Sequence, residues 1–236
     1  MEKGITIFFP AFNEEKTIES MVISARKLAE QLFENHEILV IDDGSSDRTP
    51  EIVKALAATD TKIKLVSHPN NLGYGAALRT GFDHALFELV FFTDGDGQFD
   101  VNELEKLLPL MENADLAIGY RVGRKDKFHR LLTAFCYKLL LYLLFRLWVK
   151  DIDCAFKLIR TRVVRDIELR STGAYVSAEI LIKARRKGYQ IREIGVNHYP
   201  RQFGISKGAT PMVILRTVKE LLKSLCELRT TRGPKE

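Results

Sequence analysis

Through residue 120 the chain alternates short apolar runs with longer segments of helical spacing, which narrows the folds open to it. "GITIFF" (4–9), "EILVIDD" (37–43), "KIKLVSH" (62–68), "ELVFFTD" (88–94) and "ADLAIGY" (114–120) read as strands. Near-continuous apolar character suits parallel strands buried on both faces. Between them, residues 14–34 set Ile18, Met21, Val22, Ala25, Leu28, Ala29 and Leu32 at helical spacing. "SSDRTPEIVKALA" opens a second helix, with Thr49 as N-cap and Pro50 at the first helical position. "GYGAALRTGFDHALF" and "VNELEKLLPLM" read as a third and a fourth. The expectation is an α/β fold: a mostly parallel, doubly wound, twisted sheet with helices on both faces.

Such sheets bind ligands beyond the carboxyl ends of their strands. The polar residues fall there: Asn13 and Glu14 after the first strand, Asp42 and Asp43 ending the second, Asp94 and Asp96 ending the fourth, Arg121 following the fifth. Two carboxylates at i and i+2 repel each other unless a cation lies between them. A hard divalent ion, Mg²⁺ or Mn²⁺, held by one or two carboxylates and by substrate phosphates, answers that need. Gly95 and Gly97 let the backbone turn tightly, and Gln98 can add a neutral oxygen. The competing reading is a polar strand-to-helix loop with Asp100 as a cap. A calcium loop is disfavoured because Phe99 stands where the EF-hand turn requires glycine, and the incoming segment reads as strand.

The second half is less regular. Residues 131–149, "LLTAFCYKLLLYLLFRLWV", form a long apolar stretch interrupted by Lys138 and Arg146. "DIDCAFKLIR" and "YQIREIGVNHYPR" are strand-like, "AYVSAEILIKARRKG" is helical, and "PMVILRTVKELLKSLCEL" closes as an amphipathic helix. The net charge of +5 favours phosphate-bearing partners. Low aromatic content and the lack of a continuous basic stripe argue against nucleic acid. The three cysteines, Cys136, Cys154 and Cys226, form no C-x-x-C pair, so neither a disulfide framework nor a zinc site is indicated and a reducing cytosol is expected. The N-terminus enters its first strand with no small-residue cleavage site, so no signal peptide is expected.

"FPAFNEE", "VIDDGSSDRTPEI", "NNLGYGAALRTGF" and "TDGDGQF" resemble, in order, the motifs of family 2 glycosyltransferases with the GT-A fold. The closer likeness is to dolichyl-phosphate mannose synthases and related polyprenyl-phosphate hexosyltransferases. "GYR", "DIDCAFKLIR" and "HYPRQFGISK" extend it to residue 207. The resemblance implies that Pro10, Phe12, Glu14, Ile41 and Asp43 surround the nucleobase and ribose of a GDP- or UDP-hexose. It implies that Asp94, Gly95, Asp96 and Gln98 hold the metal and the diphosphate, with Asp96 and Gln98 the direct metal ligands and Asp94 nearer the nucleotide. Arg121 would contact the donor side, and Arg130, Arg201 and Lys207 would bind donor or acceptor phosphate. The family often has tyrosine where this chain has Phe12, which keeps stacking but loses a hydroxyl. The Q-x-x-R-W motif of processive synthases is absent from the sequence, so transfer of a single sugar is expected. One domain over 1–229 is expected, with 1–122 as the nucleotide-sugar half, 123–229 as the acceptor and membrane-facing half, and 230–236 as a flexible tail.

The chemistry fits these residue types. A departing diphosphate gains negative charge, which a divalent ion neutralises as a Lewis acid and Arg and Lys donors stabilise further. A sugar hydroxyl acceptor needs a positioned carboxylate, and Asp151 or Asp153 could serve. A phosphate monoester is already anionic near neutral pH and needs positioning instead. The basic set Arg121, Arg130, Arg201 and Lys207 favours the anionic acceptor. His198, Lys157 and Glu179 read as structural residues.

Residues 131–149 are about long enough to cross a bilayer. A single crossing would put Asp94 and Asp96 on one side and Arg201 and Lys207 on the other, dismantling the site. No transmembrane span is therefore expected. The segment either lies in the membrane interface, with Lys127, Arg130, Lys138 and Arg146 toward headgroups, or packs in the core. The preferred reading is a metal-dependent, inverting transferase moving mannose or glucose to a polyprenyl or dolichyl phosphate, peripheral on the cytosolic membrane face. The alternatives are transfer to a saccharide or protein hydroxyl, and a nucleotide- or lipid-binding module without turnover.

Overall fold

The computed structural model describes residues 4–123, 128–203 and 211–230, with the backbone alone for 128–134, 211, 212, 214, 215 and 226–230. Strands β1 (Gly4–Ala11), β2 (Asn35–Asp42), β3 (Ile63–Ser67) and β4 (Leu89–Thr93) alternate with helices α1 (Ile18–Leu32), α2 (Thr49–Thr59) and α3 (Tyr74–His84). Then follow β5 (Leu116–Val122), α4 (Phe128–Phe145), β6 (Phe156–Arg160), α5 (Thr161–Asp166), α6 (Val176–Arg186), β7 (Ile191–Asn197) and α7 (Pro211–Thr230). One seven-stranded sheet results, in the order β3-β2-β1-β4-β6-β5-β7. Only β6 is antiparallel, to both β4 and β5. The sheet is the expected mostly parallel one, with Arg121 inside β5 rather than after it.

Each strand face has its own core. Ile5, Ile7 and Phe9 of β1 pack with α1, through Met21, Val22, Ala25 and Leu28. Phe8 points the other way, with Ala77, Leu78 and Phe82 of α3 and Ile180 and Leu181 of α6. The rings of Phe8, Phe82 and Phe92 lie 5.2–5.6 Å apart. A Cβ at Gly81 would meet the Phe8 ring at 2.4 Å, so glycine there lets α3 lie close on the sheet.

Three expected elements differ. Residues 101–111 form two 3₁₀ turns, Val101–Lys106 and Leu108–Glu112, instead of one α-helix. Pro109 lacks an N–H and its ring crowds the carbonyl one turn back, so the α-helical ladder cannot run through it. The first helix begins at Ile18 rather than residue 14: Asn13 takes a left-handed backbone (φ 59°), the Glu14 and Glu15 N–H groups are held by Thr49 and Asp47, and residues 15–17 form a turn. The 131–149 stretch leaves the helix at Phe145. Arg146 has φ 57°, and Leu147 and Val149 then drop into the core. Leu141 also points inward, whereas Leu143 and Trp148 are 65% and 55% exposed. The core expectation thus holds for one face of this segment, and its other face is exposed. Among the described residues no helix is long and apolar enough to cross a membrane.

Candidate active site

The chain runs from β1 outward to β3 and returns to β4 on the other side of β1, so the strand order reverses between β1 and β4. Loops after β1 and β2 diverge there and tie each other down. The Asn13 N–H donates to Ser45 Oγ at 2.9 Å, Glu14 N–H to Thr49 Oγ1 at 2.9 Å and Glu15 N–H to Asp47 Oδ2 at 3.0 Å. The Ser46 N–H returns a bond to Asn13 Oδ1 at 2.8 Å. This corrects the capping expectation. Thr49 is the first residue of α2, with Pro50 in its first turn, and its hydroxyl serves the Glu14 N–H instead of its own helix.

The acidic loop is fixed from three sides. The Thr17 hydroxyl donates to the Gly95 carbonyl at 2.7 Å, and Asp96 Oδ1 accepts the Gln98 N–H at 3.0 Å. Tyr199 clasps Gln98 twice: its N–H donates to the Gln98 carbonyl at 2.8 Å, and its own carbonyl accepts Gln98 Nε2 at 3.0 Å. His198 packs edge-on against Phe99, with ring centroids 5.0 Å apart. The segment carrying Arg201 therefore runs along the acidic loop, and Arg201 reaches it. Its guanidinium bonds Glu14 and lies 3.6 Å from Asp96 Oδ2. Burial raises the Glu14 pKa, Arg201 opposes that, and the nearby Asp96 charge adds to it.

Asp94 is half-buried, but its Oδ1 is sealed from solvent and has no hydrogen-bond partner among the described residues. Burial first, and the Asp96 charge second, push its pKa up to about 7. The Tyr74 hydroxyl, at the start of α3, faces Asp94 and is likewise buried without a bond of standard geometry. Sequence reasoning missed Tyr74, whose approach to Asp94 depends on how α3 is set against β4. A buried carboxylate oxygen without a partner carries an uncompensated desolvation cost. A divalent cation would remove it, so the acidic pair fits a metal. Among the described residues no three His, Cys, Asp or Glu side chains gather as a cage. The protein's offer is thus a pair of carboxylates plus Gln98, the kind of sparse set that Mg²⁺ completes with phosphate and water.

Asp43, at the end of β2, accepts the Leu72 and Gly73 N–H groups at 2.8 and 2.9 Å and pairs with His68 Nδ1 at 2.7 Å. It thereby holds the approach to α3. Phe12 is half-buried; Pro10 is buried and the Ile41 side chain lies wholly within the second core, the two residues standing opposite each other in the β1–β2 ladder. Arg121 spends its fork on Asp151, with Nε to Oδ2 at 2.6 Å and Nη2 to Oδ1 at 2.8 Å. Burial alone would lower the Arg121 pKa, but Asp151 holds it above the ordinary value. The structure thus brings Glu14, Asp94, Asp96, Gln98 and Arg201 together and sets Arg121 with Asp151. The Arg130 side chain and Lys207 lie outside the described residues.

A family model, Glycosyl transferase family 2, matches residues 6–168. The chain belongs to this family. Similar proteins include the dodecaprenyl-phosphate galacturonate synthase of Rhizobium johnstonii, 26% identical over 98% of this chain and 69% of its own length. A dolichyl-phosphate beta-glucosyltransferase of Trichomonas vaginalis is 30% identical over 81% of this chain and 64% of its own. The family 2 glycosyltransferase described here thus spans about two thirds of the length of these curated relatives. Glucosyl-3-phosphoglycerate synthase of Mycobacterium tuberculosis, in complex with Mn²⁺, UDP and glucosyl-3-phosphoglycerate, superposes with a TM-score of 0.74. It is 22% identical and the match covers 99% of this chain and 82% of that one, which establishes the shared GT-A fold.

Proposed function

We propose that this transferase moves one hexose, mannose or glucose, from a GDP- or UDP-sugar to a polyprenyl phosphate, by a single inverting displacement at the cytosolic face of a membrane. The observation that carries the reading is the Glu14–Arg201–Asp96 cluster beside the orphaned Asp94 oxygen, at the edge where a GT-A sheet takes its donor. Asp94, Asp96 and Gln98 would hold Mg²⁺ or Mn²⁺, which supplies Lewis-acid neutralisation of the departing diphosphate. Arg201 offers a preorganised cation at the same place. Phe12 and the loops crossed by Asp43 and Glu14 serve the nucleoside. Lys207 and Arg130 complete the phosphate-binding set.

The relatives named above carry polyprenyl phosphates in their names, which supports that acceptor. Exposed Phe135, Leu139, Leu143 and Trp148 on and just after α4 support a peripheral membrane contact. Lys138 stands 4.3 Å over the Trp148 ring and Lys150 4.1 Å over Tyr120, supplying cations for anionic headgroups beside that face. Both Asp151 oxygens are engaged by Arg121, so transfer to a hydroxyl would have to rely on Asp153 as base.

The test uses a panel of radiolabelled GDP- and UDP-hexoses with Mn²⁺ and vesicles containing polyprenyl phosphate. Label is expected in the organic phase, and Asp96→Asn is expected to slow transfer by on the order of 10²–10³. Label passing only to a saccharide or peptide would overturn the acceptor. Full activity of Asp96→Asn would overturn the metal site.

A further inference from the structure

Lys157 is the second residue of β6, with 0% exposure. The sheet register sets it opposite Phe92 of β4 on one side and Ile118 of β5 on the other. Just beyond Phe92 the chain delivers Asp94, and just beyond Ile118 it delivers Arg121. The Lys157 side chain thus rises between the acidic loop and the Arg121–Asp151 pair.

Its ammonium donates to the Ile152 carbonyl at 3.2 Å and to the Cys154 carbonyl, and stands 5.8 Å from the Phe92 ring centroid. Both carbonyls belong to the turn that leads into β6, which also carries Asp151 and Asp153. Among the described residues, the titratable groups whose charge acts on Lys157 include Cys154, Asp151 and Asp153 from that turn and Asp94 from the loop after β4. An apolar residue of the same volume would fill this position without the desolvation that a buried cation incurs. What the lysine adds is therefore its N–H donors, directed at the turn carbonyls, and its charge, which also bears on Asp94.

We propose that Lys157 is a positioning residue for sugar transfer: it fixes the Asp151–Cys154 turn, and through it the Arg121–Asp151 pair, against the strand end that bears Asp94. The proposal rests on the transferase reading above. In this arrangement Lys157 touches neither substrate. It sets the spacing between the carboxylates that hold the donor and the Arg121–Asp151 pair.

Lys157→Met keeps the stem and volume and removes the charge and the donors, while Lys157→Arg keeps both. In Lys157→Met, binding of UDP or GDP with Mn²⁺ by calorimetry is expected to stay near that of the wild type, because Lys157 spends its hydrogen bonds on the Ile152 and Cys154 carbonyls and, among the described residues, makes none to Glu14, Asp94, Asp96 or Arg201. The kcat for transfer to polyprenyl phosphate is expected to fall by about 100-fold, the scale of an ångström-sized misplacement. Lys157→Arg is expected to recover most of it. The Arg121 Nε–H resonance, read by ¹⁵N NMR, is expected to shift in Lys157→Met and to return in Lys157→Arg. An unchanged kcat or an unmoved Arg121 resonance in Lys157→Met overturns the proposal. So does a parallel loss of nucleotide binding, kcat and melting temperature that arginine does not restore, which marks a plain core defect. If Lys157→Met does not fold, Lys157→Arg decides alone: loss of transfer with the Arg121 resonance in place overturns the proposal, and retained transfer supports it. A wild type that labels no polyprenyl phosphate sinks the acceptor reading instead, and the Arg121 resonance still reports on Lys157.

Discussion

Gly75 shows how a single missing side chain joins the donor end of the sheet to the second half of the chain. Its N–H donates to the Thr172 carbonyl at 3.0 Å. A Cβ there would meet the Ser171 carbonyl oxygen at 2.4 Å and the Thr172 carbonyl carbon at 2.9 Å. Both are backbone atoms, and they cannot swing aside as a flexible side-chain end would. The loop they belong to is itself held, since Glu179 accepts the Arg170 and Ser171 N–H groups at 3.0 and 2.9 Å. Gly75→Ala is therefore expected to destabilise the fold by about 1–3 kcal/mol, the cost of overpacking. At about 2–4 °C per kcal/mol for a chain of this size, a thermal melt resolves that. Nucleotide affinity is expected to fall as well, because the Leu72 and Gly73 N–H groups just before Gly75 are those that Asp43 anchors. An unshifted melting temperature would show that the Ser171 loop gives way freely.

At the scale of elements, the 131–149 stretch divides by face. Leu141, Leu147 and Val149 are buried, and Phe135, Leu139 and Leu143 are exposed. A stripe read along the sequence cannot distinguish these faces, because both are apolar. The turn at Arg146, closed by its N–H on the Tyr142 carbonyl at 2.8 Å, changes which residues point inward. Replacing Leu143 and Trp148 together by serine is expected to leave the melting temperature nearly unchanged, since both are largely exposed. Binding to anionic vesicles is expected to weaken by roughly tenfold or more, from the lost apolar burial. Sedimentation with vesicles measures it, and equal binding by the variant would remove this face from the membrane contact.

For the molecule as a whole, pH acts on stability through buried groups, among them one histidine ring. His36, at the start of β2, has both nitrogens buried without hydrogen-bond partners among the described residues. Burial, and then the charges of Lys62 and Arg26, lower its pKa, against a smaller pull from Glu30 and Asp60. The folded protein thus holds this proton less tightly than the unfolded chain does. Stability from His36 is present at neutral pH and above, and is lost as pH falls through the ordinary histidine value of about 6.5. Asp94, pushed up to about 7, takes up its proton over the same window and adds stability as pH falls, so the His36 share is read as a difference: between about pH 7.5 and 5.5 the urea midpoint of the wild type is expected to fall relative to that of His36→Leu. Identical slopes would assign the loss to other groups. The sequence by itself determined the strand–helix alternation, the parallel character of the first four strands, the family and the acidic residues at the strand ends, because these follow from local periodicity and local motifs. Only the tertiary structure decided that β6 enters antiparallel between β4 and β5, that Thr49 caps Glu14, and that Arg121 faces Asp151 while Arg201 reaches Asp96. It also set Tyr74 beside Asp94 and Lys157 beneath the Asp151 turn. Those contacts join residues far apart in the chain or depend on how elements pack, and neither period nor spacing carries that information.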